Sequence, residues 1–185
     1  ELLSVSVLCS SIGTAQAQHA VFSEAELDQR MAPIALYPYS LRAQILMAST
    51  YPADIAEAVK WSKDNPDQNC DAAVEAVQYK SWDPSVMSLV AFPQVLTMMG
   101  EQPDGVQNVG DAFLADSETV MDTVQNLRSK AKEEGNLETT EQQKVIVKEP
   151  SSTETIIIIE PADPQIIYVP SYNPTIVYGA WWWPH

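Results

Sequence analysis

Residues 120–135 read VMDTVQNLRSKAKEEG, and residues 155–159 read TIIII. In the first stretch Val120, Val124, Leu127 and Ala131 recur at helical spacing, and Gly135 supplies a left-handed stop. In the second, Ile156–Ile159 shows no polar alternation, so both of its faces should be covered. Gly135 therefore separates a helical region, 18–135, from a β region, 136–180, expected to pack on the helices. The expected fold class is α+β: an N-terminal bundle of several short α-helices followed by a small antiparallel β-sheet.

Upstream of this boundary the pattern stays helical back to Ser23. Ser23 and Glu26 form a capping-box pair ahead of Leu27 and Met31. Further helix starts are expected at Tyr37-Pro38, Tyr51-Pro52, Asn65-Pro66, Asp83-Pro84 and Phe92-Pro93, because proline fits the first helical turn and breaks the interior. Apolar stripes follow: Ile55, Ala58 and Val59 beside Ser62; Val86, Leu89 and Val90; Val95, Leu96 and Met99; Val106, Val109 and Phe113. Core packing accounts for all of them.

Downstream, a polar bridge at 136–143 leads to four runs of β character: Val145–Val147, Thr155–Ile159, Ile166–Val169 and Thr175–Tyr178. The proline-containing breaks between them are too short for parallel crossovers, so antiparallel neighbours are expected. An exposed edge of four Ile residues would invite aggregation, which argues for a central place for that run with helices on at least one face.

The chain carries 25 acidic and 10 basic residues, a formal charge of −15. Nucleic-acid binding needs cations against phosphates, so this balance excludes it as the expected partner. At the N-terminus a short apolar run closes on Ala15-Gln16-Ala17, the small-x-small pattern of signal-peptide cleavage. Residues 1–17 are accordingly expected to be part of an export signal, cut after Ala17. Lipid attachment at Cys9 is disfavoured, because Leu8 stands where a small residue is needed. Cys70 is then the one remaining thiol, expected as a small buried side chain near a helix start, with an intermolecular bridge as the weaker alternative.

Catalytic patterns are absent: the sequence has no Gly-x-Ser-x-Gly, no His-Glu-x-x-His, no phosphate-binding glycine loop and no Cys-x-x-Cys. The two histidines, His19 and His185, sit near the ends and are poorly placed as general bases. Asp67, Asn69 and Asp71 alternate like the start of a calcium loop, but Ala72 replaces the required Gly and Gln78 the chelating Glu. Asp71 reads instead as an N-cap for a helix over 72–78. No cofactor, metal site or catalytic residue is expected. Six aromatics crowd the end: Tyr168, Tyr172, Tyr178, Trp181, Trp182 and Trp183. Tyr172 and the three Trp residues are the candidate partner-binding residues, since flat rings stack on sugars and favour interfaces.

Several segments together are specific: Ala32-Pro33-Ile34-Ala35-Leu36-Tyr37-Pro38, Trp82-Asp83-Pro84-Ser85-Val86, Gly110-Asp111-Ala112-Phe113-Leu114, Ile159-Glu160-Pro161-Ala162-Asp163-Pro164 and Tyr168-Val169-Pro170-Ser171-Tyr172-Asn173-Pro174. In this order they resemble the bacterial family called domain of unknown function 3300, from about Leu27 to Trp183. The resemblance implies export from a Gram-negative cell and an aromatic, proline-rich tail beginning at 181–185. It further implies that membrane association would come from sequence beyond residue 185. It carries no functional residues. The expected role is a non-enzymatic structural or interaction protein of the cell envelope, with an envelope protein or cell-wall glycan as partner. Alternatives are a peptidoglycan-binding module using the terminal aromatics, and an envelope hydrolase with a carboxylate pair.

Overall fold

A computed structural model describes residues 22–151 and 154–180. Among these residues eight helices precede a two-stranded antiparallel hairpin, and one short helix follows it, an α+β arrangement. The export-type segment 1–17 and Trp181–Trp183 lie outside the described residues.

The helices are α1 (Glu24–Met31), α2 (Tyr39–Ala48), α3 (Pro52–Asp64), α4 (Cys70–Val77), α5 (Pro84–Leu89), α6 (Pro93–Glu101), α7 (Pro103–Ala115) and α8 (Ser117–Glu133). Local chemistry sets most of the boundaries. The Ser23–Glu26 capping box is complete: the Glu26 N–H donates to Ser23 Oγ (3.3 Å), and the Ser23 N–H donates to Glu26 Oε2 (2.9 Å). Pro52, Pro84, Pro93 and Pro103 each take the first helical position. The Thr119 N–H donates to the Asp116 carboxylate (3.0 Å), closing the start of α8. Gly135, at φ 73°, ends that helix in the left-handed region.

Three expected starts move. Pro38 occupies the N-cap of α2 rather than its first turn. Asn65-Pro66 marks a stop, because α3 closes at Asp64 with Asn65 as its C-cap. The helix assigned to 72–78 begins two residues earlier at Cys70, with Asn69 as N-cap and Asp71 within the first turn. Cys70 is exposed rather than buried. Ala73 and Val77 of α4 are buried and Val74 packs against the core, while its opening turn stays in solvent.

The stripes meet as periodicity demands. α3 packs on α6, α2 on α5, and α1 on α8, while α7 touches α1, α2, α3 and α8. Ile55, Val86, Leu89, Val95, Leu96, Val124, Leu127 and Ala131 are all buried in one continuous core. α7 comes so close to the end of α2 that a Cβ on Gly110 would overlap the Ser49 carbonyl.

The β region is smaller than the sequence pattern implies. β1 (Gln143–Ser151) pairs with β2 (Glu154–Pro161) in the register Val145↔Ile159, Ile146↔Ile158 and Val147↔Ile157, with an irregularity between Lys148 and Ser151. The Ile run is therefore not central in a sheet. Its second edge lies on α2 and α8, and helix side chains substitute for a third strand there. The Ile157 N–H donates to Gln125 Oε1 (2.9 Å), while Arg128 Nη1 donates to the Ile157 carbonyl (2.8 Å). These bonds satisfy backbone groups that a neighbouring strand would otherwise have paired. Ile157 and Ile159 are 1% and 0% exposed; Ile156 and Ile158 are partly covered.

Residues 166–169 form no strand. Ile167 and Val169 instead lean against the core as irregular chain. The run Thr175–Tyr178 is also not a strand, since Pro174–Val177 forms a short helix, α9. Asn173 Oδ1 accepts from the Thr175 N–H (2.9 Å), and Pro174 follows as the first helical residue. This cap-plus-proline start outweighs the β propensity of Thr, Ile and Val over so short a span.

Candidate functional site

Two arginines lie where periodicity calls for apolar residues. Arg128 continues the line Val120–Val124 at the next i+4 step on α8, and Arg42 stands between Leu41 and the Ile45–Leu46 pair on α2. Both are almost completely buried, at 2% exposure for Arg42 and 1% for Arg128.

Their surroundings differ. Arg128 donates through Nε to the Ala35 carbonyl (2.8 Å), through Nη1 to Ile157 (2.8 Å) and through Nη2 to Tyr37 (2.9 Å). It thus ties the turn after α1 to β2 through α8. All three acceptors are neutral, so its charge remains uncompensated. Burial, and next the like charge of Arg42, pull its guanidinium down to about 9. Arg42 has less: its buried Nε and Nη1 find no hydrogen-bond partner among the described residues. Its guanidinium carbon stands 5.7 Å from the centre of the Tyr39 ring, a cation–π distance. Burial pulls Arg42 down to about 10.

Both groups line one open pocket of about 470 Å³. α2 contributes Tyr39, Ser40 and Arg42, α8 contributes Met121, Gln125 and Arg128, and residues 156–161 of β2 form the remaining wall. Glu160 is the one carboxylate among the described residues of this lining, and its side chain is exposed. The volume falls in the range of small-ligand sites, roughly 300–1,000 Å³, and the lining has their usual mix of many apolar groups and few polar ones. Another cleft, of about 300 Å³, lies between α3, α6 and α7, with Asp104 its acidic lining residue. Asp54 and Asp83 approach each other elsewhere, but both serve the backbone. Asp54 accepts from the Asp83 N–H (3.0 Å) and Asp83 from the Ser85 N–H (2.9 Å).

Tyr172 is half-buried and turned inward. Its hydroxyl donates to the Ala32 carbonyl (2.9 Å) and accepts from the Leu36 N–H (3.4 Å). Tyr178 donates to the same Ala32 carbonyl (2.6 Å). The Tyr172 ring stands edge-on to Tyr37 at 6.2 Å and to Tyr178 at 6.3 Å. Burial raises the pKa of both Tyr172 and Tyr178. This cluster fastens the C-terminal segment to the turn after α1, and the hydroxyl of Tyr172 is committed to that task. The structure brings Tyr172 together with Tyr37 and Tyr178, not with the pocket. Sequence reasoning passed over Arg42 and Arg128, although a cation in line with a buried stripe is a readable signal.

A family model described as protein of unknown function (DUF3300) matches residues 23–185. A curated relative, "Uncharacterized protein YacH" of Escherichia coli (strain K12), is 49% identical over 189 residues, covering 88% of this chain and 31% of that protein. The chain thus spans about a third of that relative's length. No solved structure matches.

Proposed function

The chain belongs to the DUF3300 family of proteins of unknown function, and from that premise we propose that it is a non-catalytic interaction module of the bacterial cell envelope. It engages its partner in the pocket between α2, α8 and β2. The observation that carries this reading is the pocket itself: an apolar wall stands beside the buried Nε and Nη1 of Arg42, which have no hydrogen-bond partner among the described residues. Among the described residues of the lining Glu160 has no second carboxylate and no imidazole beside it with which to share proton transfer, which favours binding over hydrolysis.

Export is supported by the Ala15-Gln16-Ala17 pattern. No helix among the described residues is long and apolar enough to cross a membrane.

The test is photo-cross-linking in cells, with a reactive residue at Tyr39 in the pocket mouth or at Lys63 on α3 as control. The expected result is a protein recovered from the envelope fraction with an adduct from position 39 only, lost when Ser40→Trp plugs the mouth. Recovery from the cytoplasm would overturn the location. The same adducts from both positions, or adducts indifferent to Ser40→Trp, would overturn the docking site.

A further inference from the structure

Inside the described fold the guanidinium of Arg42 faces the Tyr39 ring at 5.7 Å, while its Nε and Nη1 are buried without a hydrogen-bond partner. Arg128, the other cation of the pocket, has each guanidinium nitrogen directed at a carbonyl and adds positive potential without a competing acceptor. A buried charge left uncompensated is strongly unfavourable, and an anion entering the pocket would relieve that penalty. The planar guanidinium fork matches the two oxygens of a carboxylate.

The other walls specify what carries the anion. Met121, Pro161 and the Ile residues of β2 offer apolar contact, which a bare phosphate would not use. The N–H and C=O of Ile157 are taken by Gln125 and Arg128, and Ile157 and Ile159 are 1% and 0% exposed, so β2 contributes apolar wall rather than a backbone edge. Ile159 also lines the pocket.

We propose that Arg42 receives the carboxylate that ends an apolar chain, such as a peptide C-terminus, entering this pocket. This rests on the pocket being the docking site, and it names the chemistry recognised there.

The experiment uses the full chain and three probes at millimolar concentration. They are an N-acetylated Ala-Val-Leu tripeptide with a free carboxylate, the same peptide as its C-terminal amide, and inorganic phosphate. Binding is read by calorimetry and by the shift in melting temperature. The free acid should raise the melting temperature of the wild type by several degrees, and the amide and phosphate should not. Arg42→Met should weaken the acid at least about tenfold, the loss of one charge-assisted pair. Its own unliganded melting temperature should lie roughly 2–4 °C above wild type, because an unpaired buried cation is gone. Arg42→Lys, which keeps charge but loses the fork, should also weaken the acid.

Equal response to acid and amide, no response to the acid, or phosphate acting as well as the peptide would each overturn the proposal. So would an Arg42→Met protein that melts below wild type, since Arg42 would then be part of the fold's own support. If Ser40→Trp abolishes the cross-link at position 39 while Arg42→Met leaves it intact, the docking site stands and the carboxylate assignment falls. If Ser40→Trp changes nothing, the docking site falls first.

Discussion

Replacing Arg128 with Met should destabilise the protein, whereas the same replacement at Arg42 should not. The two arginines are equally buried, but Arg128 serves three carbonyls at 2.8–2.9 Å. Methionine fills much the same space and donates nothing. The Ile157 carbonyl would keep a weak bond from Gln125 Nε2 at 3.4 Å, leaving the carbonyls of Ala35 and Tyr37 without their Arg128 donor. Each buried orphan costs about 1–3 kcal/mol, so two cost about 2–6 kcal/mol. Relief from no longer burying a cation offsets on the order of 1–2 kcal/mol. The net expectation is a loss of about 3 kcal/mol, against a total stability of about 5–15 kcal/mol for a domain. With a urea slope of about 2–3 kcal/mol/M for a chain of this size, the midpoint should fall by roughly 1 M at unchanged slope. Equilibrium urea unfolding followed by far-UV circular dichroism measures it. A midpoint that stays or rises would mean that the three carbonyls can find other donors, and the view of Arg128 as the tie between α8, β2 and the turn after α1 would be wrong.

Other expectations follow from the same contacts. Gly110→Ala puts a methyl on the Ser49 carbonyl and should cost about 1–3 kcal/mol or more, seen as a lower melting temperature; a change within experimental error would show that α2 and α7 can separate freely. Asp116→Ala removes the cap of α8 and should cost about 1 kcal/mol in chemical denaturation, with an unchanged midpoint counting against it. The phenols of Tyr172 and Tyr178 are raised above the ordinary value of 10.0 by burial, so the folded state holds their protons more tightly than the unfolded chain does. Their contribution is complete below pH 10 and is lost as pH climbs toward the raised values. Arg42 and Arg128, pulled down to about 10 and 9, act in the opposite sense with or without the phenols. The comparison with Tyr172→Phe/Tyr178→Phe therefore isolates the phenols: the double variant should lose less stability above pH 10 than wild type, and parallel pH profiles would refute the assignment.

How far the sequence could be read depended on the range of the interactions involved. The capping box at Ser23, the prolines opening α3, α5 and α6, and the stripe ending at Gly135 act within one or two turns, and each was legible. The Ile run was recognisable as a covered strand, but what covers it was not. A third strand and a pair of helix side chains satisfy the same backbone groups, and only the approach of α8 selects Gln125 and Arg128. At 175–178 a local signal was present and outranked by a propensity: Asn173-Pro174 opens a helix where Thr, Ile and Val spoke for a strand. Tyr172 looked like a free aromatic because its partners, Ala32, Leu36 and Tyr37, lie more than a hundred residues away in the chain.

The sequence alone determined the α+β order, several helix boundaries and family membership, because these depend on neighbours along the chain. Only tertiary structure decided that the sheet has two strands among the described residues, and that Arg42 and Arg128 converge on one pocket with different surroundings. The physical reason is that burial of a charge, unlike the capping of a helix, depends on every element that closes over it, and no spacing in the sequence records that closure.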